Sequence, residues 1–203
     1  MESTFDFKTV EKEVSDVWLK EKGSKFIGFL SPVNGEEEAK MVLEKIKSEH
    51  PKATHHCYAF RLGENGQIYR ANDDGEPSGS AGLPIYNQLL AHEITNVILV
   101  VVRYYGGTKL GVGGLVKVYK ETAQLTIEQA IIIQKNIESS VKITFGFDDQ
   151  NTVFVLLNKF QAKITSFETT ATESEITASF PLSEKENISE KLSEMHKISF
   201  QFL

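Results

Sequence analysis

The sequence predicts an α+β protein of two domains, residues 1–136 and 137–203. Three observations carry this reading. A length of 203 residues with 40% hydrophobic and 25% charged residues allows one large domain or two small ones with real cores. Apolar residues alternate along some segments and recur at helical spacing along others. After Glu138 the chain changes character and settles into a regular succession of short strands and helices.

Taken in order, Val17–Leu19 and Lys25–Leu30 flank Glu21-Lys22-Gly23-Ser24, a hairpin turn signal. Trp18, alone of its kind, reads as a core anchor of the first strand. Glu36–Glu49 places Ala39, Val42, Leu43 and Ile46 on one helical face and stops before Pro51. His55–Leu62 reads as a strand, with Tyr58, Phe60 and Leu62 on one side and His55, Cys57, Ala59 and Arg61 on the other. Asn65-Gly66 is a turn and Gln67–Arg70 its partner strand. Ala71–Gly82 is too rich in Gly, Asp and Pro for regular structure, and Leu83–Glu93 then forms a helix that Ser78 or Ser80 caps. Val97–Val102 suits a strand buried on both faces. Arg103–Gly113 follows as a second loop, and a helix runs from about Gly114 to Gln129. The domains join around Ile133–Glu138.

The tail offers strands at Val141–Phe147, Ala162–Thr169, Glu175–Phe180 and Ile198–Phe202, with helices over Gln150–Lys159 and Ser183–Met195. That order, β-α-β-β-α-β, is the ferredoxin-like arrangement.

The single cysteine, Cys57, excludes a disulfide framework and a four-cysteine zinc site. The longest apolar run, Val97–Val102, is far short of the ~20 residues of a membrane span, and MESTFDFKTVEKEV lacks the regions of a signal peptide. A soluble cytoplasmic protein without a membrane partner is expected. The net charge of −6 speaks against a strongly basic, sequence-indifferent nucleic-acid coat. That sum hides local structure. Ile94–Lys120 carries Arg103, Lys109, Lys117 and Lys120 with no acid, and five of the 14 glycines lie between Gly106 and Gly114.

Strand, glycine loop and helix bring free backbone N–H groups and a helix N-terminus together, a ready anion site. Arg103 and Lys109 add full charges, Arg61 and Lys117 further cations, and Tyr104 and Tyr105 rings for stacking. Gly106, Gly107, Gly111, Gly113 and Gly114 permit close approach of a phosphate, and equally serve tight turns and helix packing. The run is neither a Walker loop nor GxGxxG, so no nucleotide cofactor is implied. Asp73, Asp74 and Glu76 fit a magnesium ion, a general base, or simple solvation and capping. Adjacent strand residues face opposite ways, which leaves His55 rather than His56 as a partner for Cys57 in catalysis; small-residue packing is the other use of that thiol. His50, His92 and His196 form no local metal pair.

Taken together, HHCYAFRLG, ANDDGEPSGSAGLPI and NVILVVVRYYGGTKLGVGGLVKVY resemble the motifs of the YigZ/IMPACT family, in its bacterial two-domain branch. The resemblance implies a first domain like domain 2 of ribosomal protein S5 and a ferredoxin-like second domain. The pair is similar to the last two domains of elongation factor G. Binding to RNA or the ribosome, in translation or its regulation, is implied by that likeness, with DNA and a translation-factor partner left open. The motif positions are His55, His56, Arg61, Asp73, Asp74, Glu76, Ser78, Arg103, Lys109 and the five glycines of the loop. The family brings no settled reaction, so no catalytic residue and no cofactor are assigned. Eukaryotic members carry an added N-terminal RWD domain that this chain lacks ahead of its motifs, so their kinase-linked role is not expected here. The Asp, His and Glu set of a metallopeptidase is also not evident. The alternatives are a small enzyme acting on a phosphorylated or nucleotide-like ligand at His55, Asp73 and Gly107, and a protein–protein adaptor.

Overall fold

A computed structural model describes residues 5–203; the N-terminal four residues, on which the leader-free reading of the terminus partly rests, lie outside the described residues. The chain forms two compact units, one of which is Phe7–Lys135 and the other chiefly Asn136–Leu203.

In the first unit, β1 (Asp6–Val10), β2 (Val14–Glu21), β3 (Ser24–Pro32), α1 (Glu36–Glu49), β4 (His55–Leu62) and β5 (Ile68–Asn72) come first. They are followed by α2 (Gly82–Ala91), β6 (Val97–Tyr104), α3 (Gly111–Glu128) and β7 (Ile132–Asn136). Five strands form one antiparallel sheet in the order β2-β3-β6-β4-β5, and β1 pairs with β7 in a separate ribbon. The apolar run of β6 lies at the centre because both of its faces are covered. Leu99 and Val101 pack with Cys57, Ala59, Ile85, Leu115 and Tyr119 under α2 and α3. Ile98, Val100 and Val102 pack with Leu43, Ile46 and Phe60 under α1. Each buried Val, Leu, Ile or Phe among them contributes about 1.5–3 kcal/mol. Helix α1 has Glu36, Glu37 and Glu38 in its first turn, where carboxylates favour the positive end of the dipole.

Several expectations change here. Trp18 is not a core anchor: it is 48% exposed on edge strand β2, while its neighbour Val17 takes the inward position. Helix α1 packs chiefly over β6 and β4, and β2 is packed mainly by α3. Strand β6 continues through Arg103 and Tyr104, paired with Phe26 and Lys25, and α3 begins at Gly111. The second loop is therefore only residues 105–110, and Gly111, Gly113 and Gly114 belong to the first turn of α3. Ribbon β1–β7 was not expected, and the joint foreseen around Ile133–Glu138 is largely strand β7.

The second unit contains β8 (Glu138–Gly146), α4 (Gln150–Lys159), β9 (Lys163–Thr169), β10 (Glu173–Pro181), α5 (Lys185–Ser193) and β11 (Ser199–Phe202). Its antiparallel sheet runs β11-β8-β10-β9. Val141, Ile143 and Phe145 alternate inward with Ile176, Ala178 and Phe180 against Val153, Leu157, Ile188 and Leu192 of the helices. The opposite face is polar, with Lys142 and Glu175 paired at 2.8 Å.

Candidate functional site

The sequence motifs meet because β4 and β6 are neighbours, with His55 opposite Arg103. Glu76, 9% exposed, sits where they converge. Its Oε1 accepts from Arg103 Nη1 at 2.6 Å and from the Tyr119 hydroxyl at 2.8 Å. His55 Nε2 lies 3.9 Å from its other oxygen. Arg103 also reaches Ser24 Oγ at 3.5 Å, and that hydroxyl oxygen accepts from the Gly106 N–H at 3.1 Å. One buried carboxylate thus links the loop after β5, the end of β6, the middle of α3 and the start of the 105–110 loop.

The neighbouring acids have separate tasks. Asp73 Oδ1 accepts from the Ala81 and Gly82 N–H groups at 2.9 and 2.8 Å, and its Oδ2 from Gly79 at 2.8 Å. It caps α2 from across the loop, so the cap expected of Ser78 or Ser80 is not made; Ser80 instead donates to the Pro77 carbonyl at 2.6 Å. Asp74 accepts from the His56 N–H at 2.6 Å through Oδ2, and its carbonyl accepts from His55 Nδ1 at 2.7 Å. A carbonyl only accepts, so the His55 proton resides on Nδ1. Asp73, Asp74 and Glu76 therefore point to three different sets of partners rather than to one centre.

The thiol of Cys57 is fully buried, 3.0 Å from the Asp73 carbonyl and 3.3 Å from the Tyr119 oxygen, both within reach of its one proton. Burial pushes its pKa well above the ordinary thiol range, against the opposing effect of the Tyr119 hydrogen bond. Tyr119 is pushed up in the same direction, first by burial and then by Cys57 and Glu76. Both groups are neutral at physiological pH, and a neutral buried thiol is a poor nucleophile. Burial also lowers the pKa of His56, partly offset by its contact with the His50 carbonyl.

Two expected phosphate ligands are revised. Arg103 is 5% exposed and committed to Glu76. Arg61, 8% exposed, donates to the Ile94 and Asn65 carbonyls at 2.8 and 3.3 Å. Neither guanidinium faces solvent. Both sit on the inward side of strands whose cores leave them no outlet.

The remaining loop residues form a surface. Tyr105, Gly106, Gly107 and Lys109 are exposed, as are Gly111, Gly113 and Lys117 of α3, while Gly114 is half-buried. The N-terminus of α3 has no acid in its first turn and no side-chain cap, so its N–H groups remain open to an anion. The Tyr105 ring lies 5.3 Å from the Arg103 guanidinium carbon. Tyr104 turns to the α1 side of the sheet, where its hydroxyl meets His50 Nδ1 at 3.0 Å. A side chain at Gly106 would meet the Gly23 backbone at 2.0 Å, so the loop rests directly on the tip of the β2–β3 hairpin. That approach brings Lys22 to the loop. The sequence reading missed it, although Lys20, Lys22 and Lys25 cluster around the turn; only the pairing register shows where they go.

The Impact N-terminal domain matches residues 22–127 of this chain, the segment that contains the Glu76 cluster and the 105–110 loop. The chain belongs to the YigZ/IMPACT family. The IMPACT family member YvyE of Bacillus subtilis (strain 168) is 40% identical over 126 residues, which is 62% of this chain and 58% of YvyE. The IMPACT family member YigZ of Escherichia coli (strain K12) is 37% identical over 145 residues, 70% of this chain and 71% of YigZ. A crystal structure of a hypothetical protein covers 98% of this chain and 96% of its own, with 32% identity and a TM-score of 0.76. The structure of Yih1, a two-domain translational regulator, matches 59% of this IMPACT-family chain and 48% of its own at 27% identity and a TM-score of 0.39. Among the described residues of the IMPACT-family chain, no helix is long and apolar enough to cross a membrane.

Proposed function

We propose that this IMPACT-family protein binds nucleic acid, RNA or the ribosome foremost, as a cytoplasmic component of translation or its regulation. The observation that carries the reading is the exposed, acid-free 105–110 loop, which leads into the uncapped N-terminus of α3 and is held in place by the buried Glu76–Arg103–Tyr119 cluster. Lys109, Lys117 and open backbone N–H groups supply the phosphate contacts, and Tyr105 offers a ring. The finer reading of the fold is an S5-domain-2-like first unit and a ferredoxin-like second unit, together similar to the end of elongation factor G. The β-α-β-β-α-β order and the β11-β8-β10-β9 sheet support the second of these.

The enzyme reading has less support. Its loops do meet, through Glu76 and Arg103, but the thiol and the carboxylates there are buried or already bonded. The adaptor reading would rest on exposed apolar residues such as Tyr69 and Leu83, which no charged loop accompanies as it does the 105–110 surface.

A fluorescein-labelled uridine oligonucleotide tests the proposal by anisotropy across a salt series. The affinity is expected to fall steeply with salt. Lys109→Glu is expected to weaken binding and make the log–log slope shallower by roughly 0.7 for each phosphate that the variant no longer neutralises. Unchanged affinity and slope in that variant would sink the proposal.

A further inference from the structure

The outward side of the β2–β3 hairpin holds a set of residues that the packing of the first unit leaves unexplained. Trp18 is the chain's one tryptophan, and it stands in the open rather than in either core cluster of this unit. Lys25 Nζ lies 3.0 Å from the centre of its ring and 6.0 Å from that of Tyr104. Lys20 is directly opposite Lys25 across the strand pair, a like-charge pairing that costs stability. Among the described residues neither lysine, nor Lys22 at the turn, lies within ion-pair distance of an acid. The Trp18 ring meets Lys25 in a cation–π contact, and no carboxylate of the described residues pairs with Lys20, Lys22 or Lys25, so the cluster stays open to an anion.

We infer that this hairpin face is a stacking platform for single-stranded nucleic acid, with Trp18 taking a base and Lys20, Lys22 and Lys25 its phosphates. The inference rests on the nucleic-acid reading of the adjoining loop and names the form of nucleic acid it takes. Charge selects the occupant. Three clustered lysines without a carboxylate partner favour an anion, and the part of the half-exposed indole that Lys25 leaves open favours a flat π-system; a nucleotide carries both. An apolar partner helix would have to bury lysines, and duplex DNA or RNA offers no free base face to an indole. Geometry supplies continuity, since the hairpin tip rests on Gly106 and a strand leaving the platform meets the 105–110 loop next. The opposite end of β2 opens on a groove where Glu13, Asp16 and Glu49 outnumber Lys45, which is less favourable to phosphates than the hairpin tip.

With one tryptophan in the chain, fluorescence excited at the long-wavelength edge, where the six tyrosines do not absorb, reports this platform alone. Titration of the full chain with a uridine oligonucleotide is expected to quench Trp18 emission in step with the anisotropy of a labelled copy. The same strand annealed to its complement is expected to quench much less. Trp18→Ala is expected to bind roughly tenfold more weakly with an unchanged salt slope, whereas Trp18→Phe retains most of the affinity. Lys25→Glu is expected to make the slope shallower. Binding seen by anisotropy with unchanged Trp18 emission would overturn the platform and leave the loop reading intact. Equal quenching by the duplex would overturn the single-strand assignment. Absence of any binding would overturn the loop reading and the platform together. Thermal melts of the Trp18 variants identify any loss that comes from unfolding, and Trp18→Phe keeps the test decisive if Trp18→Ala unfolds.

Discussion

Glu76 decides whether the two glycine-rich segments can hold their shape. Its carboxylate is the only counter-charge the buried Arg103 guanidinium touches among the described residues, and it accepts the Tyr119 hydroxyl as well. Glu76→Ala leaves that cation buried and uncompensated, at an expected cost on the order of 3–5 kcal/mol. Urea denaturation followed by circular dichroism would show it as a lower midpoint with the same slope. Replacing both Glu76 and Arg103 with methionine is expected to recover much of the loss, because an ion pair in a core does little better than a well-packed apolar pair. A single variant within about 0.5 kcal/mol of wild type, the range of ordinary surface substitutions, would contradict the role given to Glu76. The sequence marked His55, Asp73, Glu76 and Arg103 as motif positions, but not their tasks. Arg61 and Arg103 look like phosphate ligands in a linear chain. Only the strand pairing turns them inward, where their terminal guanidinium nitrogens bond Ile94, Asn65 and Glu76.

Among the elements, the glycines of the loop divide into those the backbone requires and those it does not. Gly106 lies against Gly23, so Gly106→Ala must separate the loop from the hairpin, at an expected cost of about 1–3 kcal/mol in chemical denaturation. Gly113 has open space where a side chain would go, and its conformation is helical; Gly113→Ala is expected to raise stability by about 0.4–1 kcal/mol. If the Gly113 variant instead loses oligonucleotide affinity while gaining stability, close approach of the ligand is the reason for that glycine. Helix α1 was readable to its ends because acids, apolar stripe and Pro51 agree. Helix α3 starts three residues earlier than the expected Gly114, since its glycines argue locally against a helix while Leu115, Val118 and Tyr119 hold it to the core. Strands β1 and β7 were illegible for another reason. Each is only five residues long, and each finds its partner more than a hundred residues away. Trp18 was misplaced because a lone tryptophan on a strand looks like core until the strand proves to be an edge.

The molecule as a whole is acidic, with a net charge of −6, yet the charge is not spread evenly. In the first unit Lys20, Lys22 and Lys25 of the hairpin adjoin the loop that carries Lys109, while Lys40, Lys45 and Arg70, likewise without an ion pair among the described residues, lie on α1 and β5. The second unit presents a sheet face whose Lys142 is already paired with Glu175, a poorer surface for phosphates. The family match, residues 22–127, falls wholly within the first unit and includes the loop and most of the hairpin tip. Everything proposed here depends on that hairpin and loop touching nucleic acid. Ultraviolet crosslinking of the full chain to RNA in cells, followed by nuclease treatment and mapping of the nucleotide-bearing peptides, asks that question without an intermediary. Nuclease-sensitive adducts are expected on peptides spanning Trp18–Lys25 and Tyr105–Lys117. Adducts confined to residues 136–203, or a crosslinked species indifferent to nuclease, would overturn the assignment.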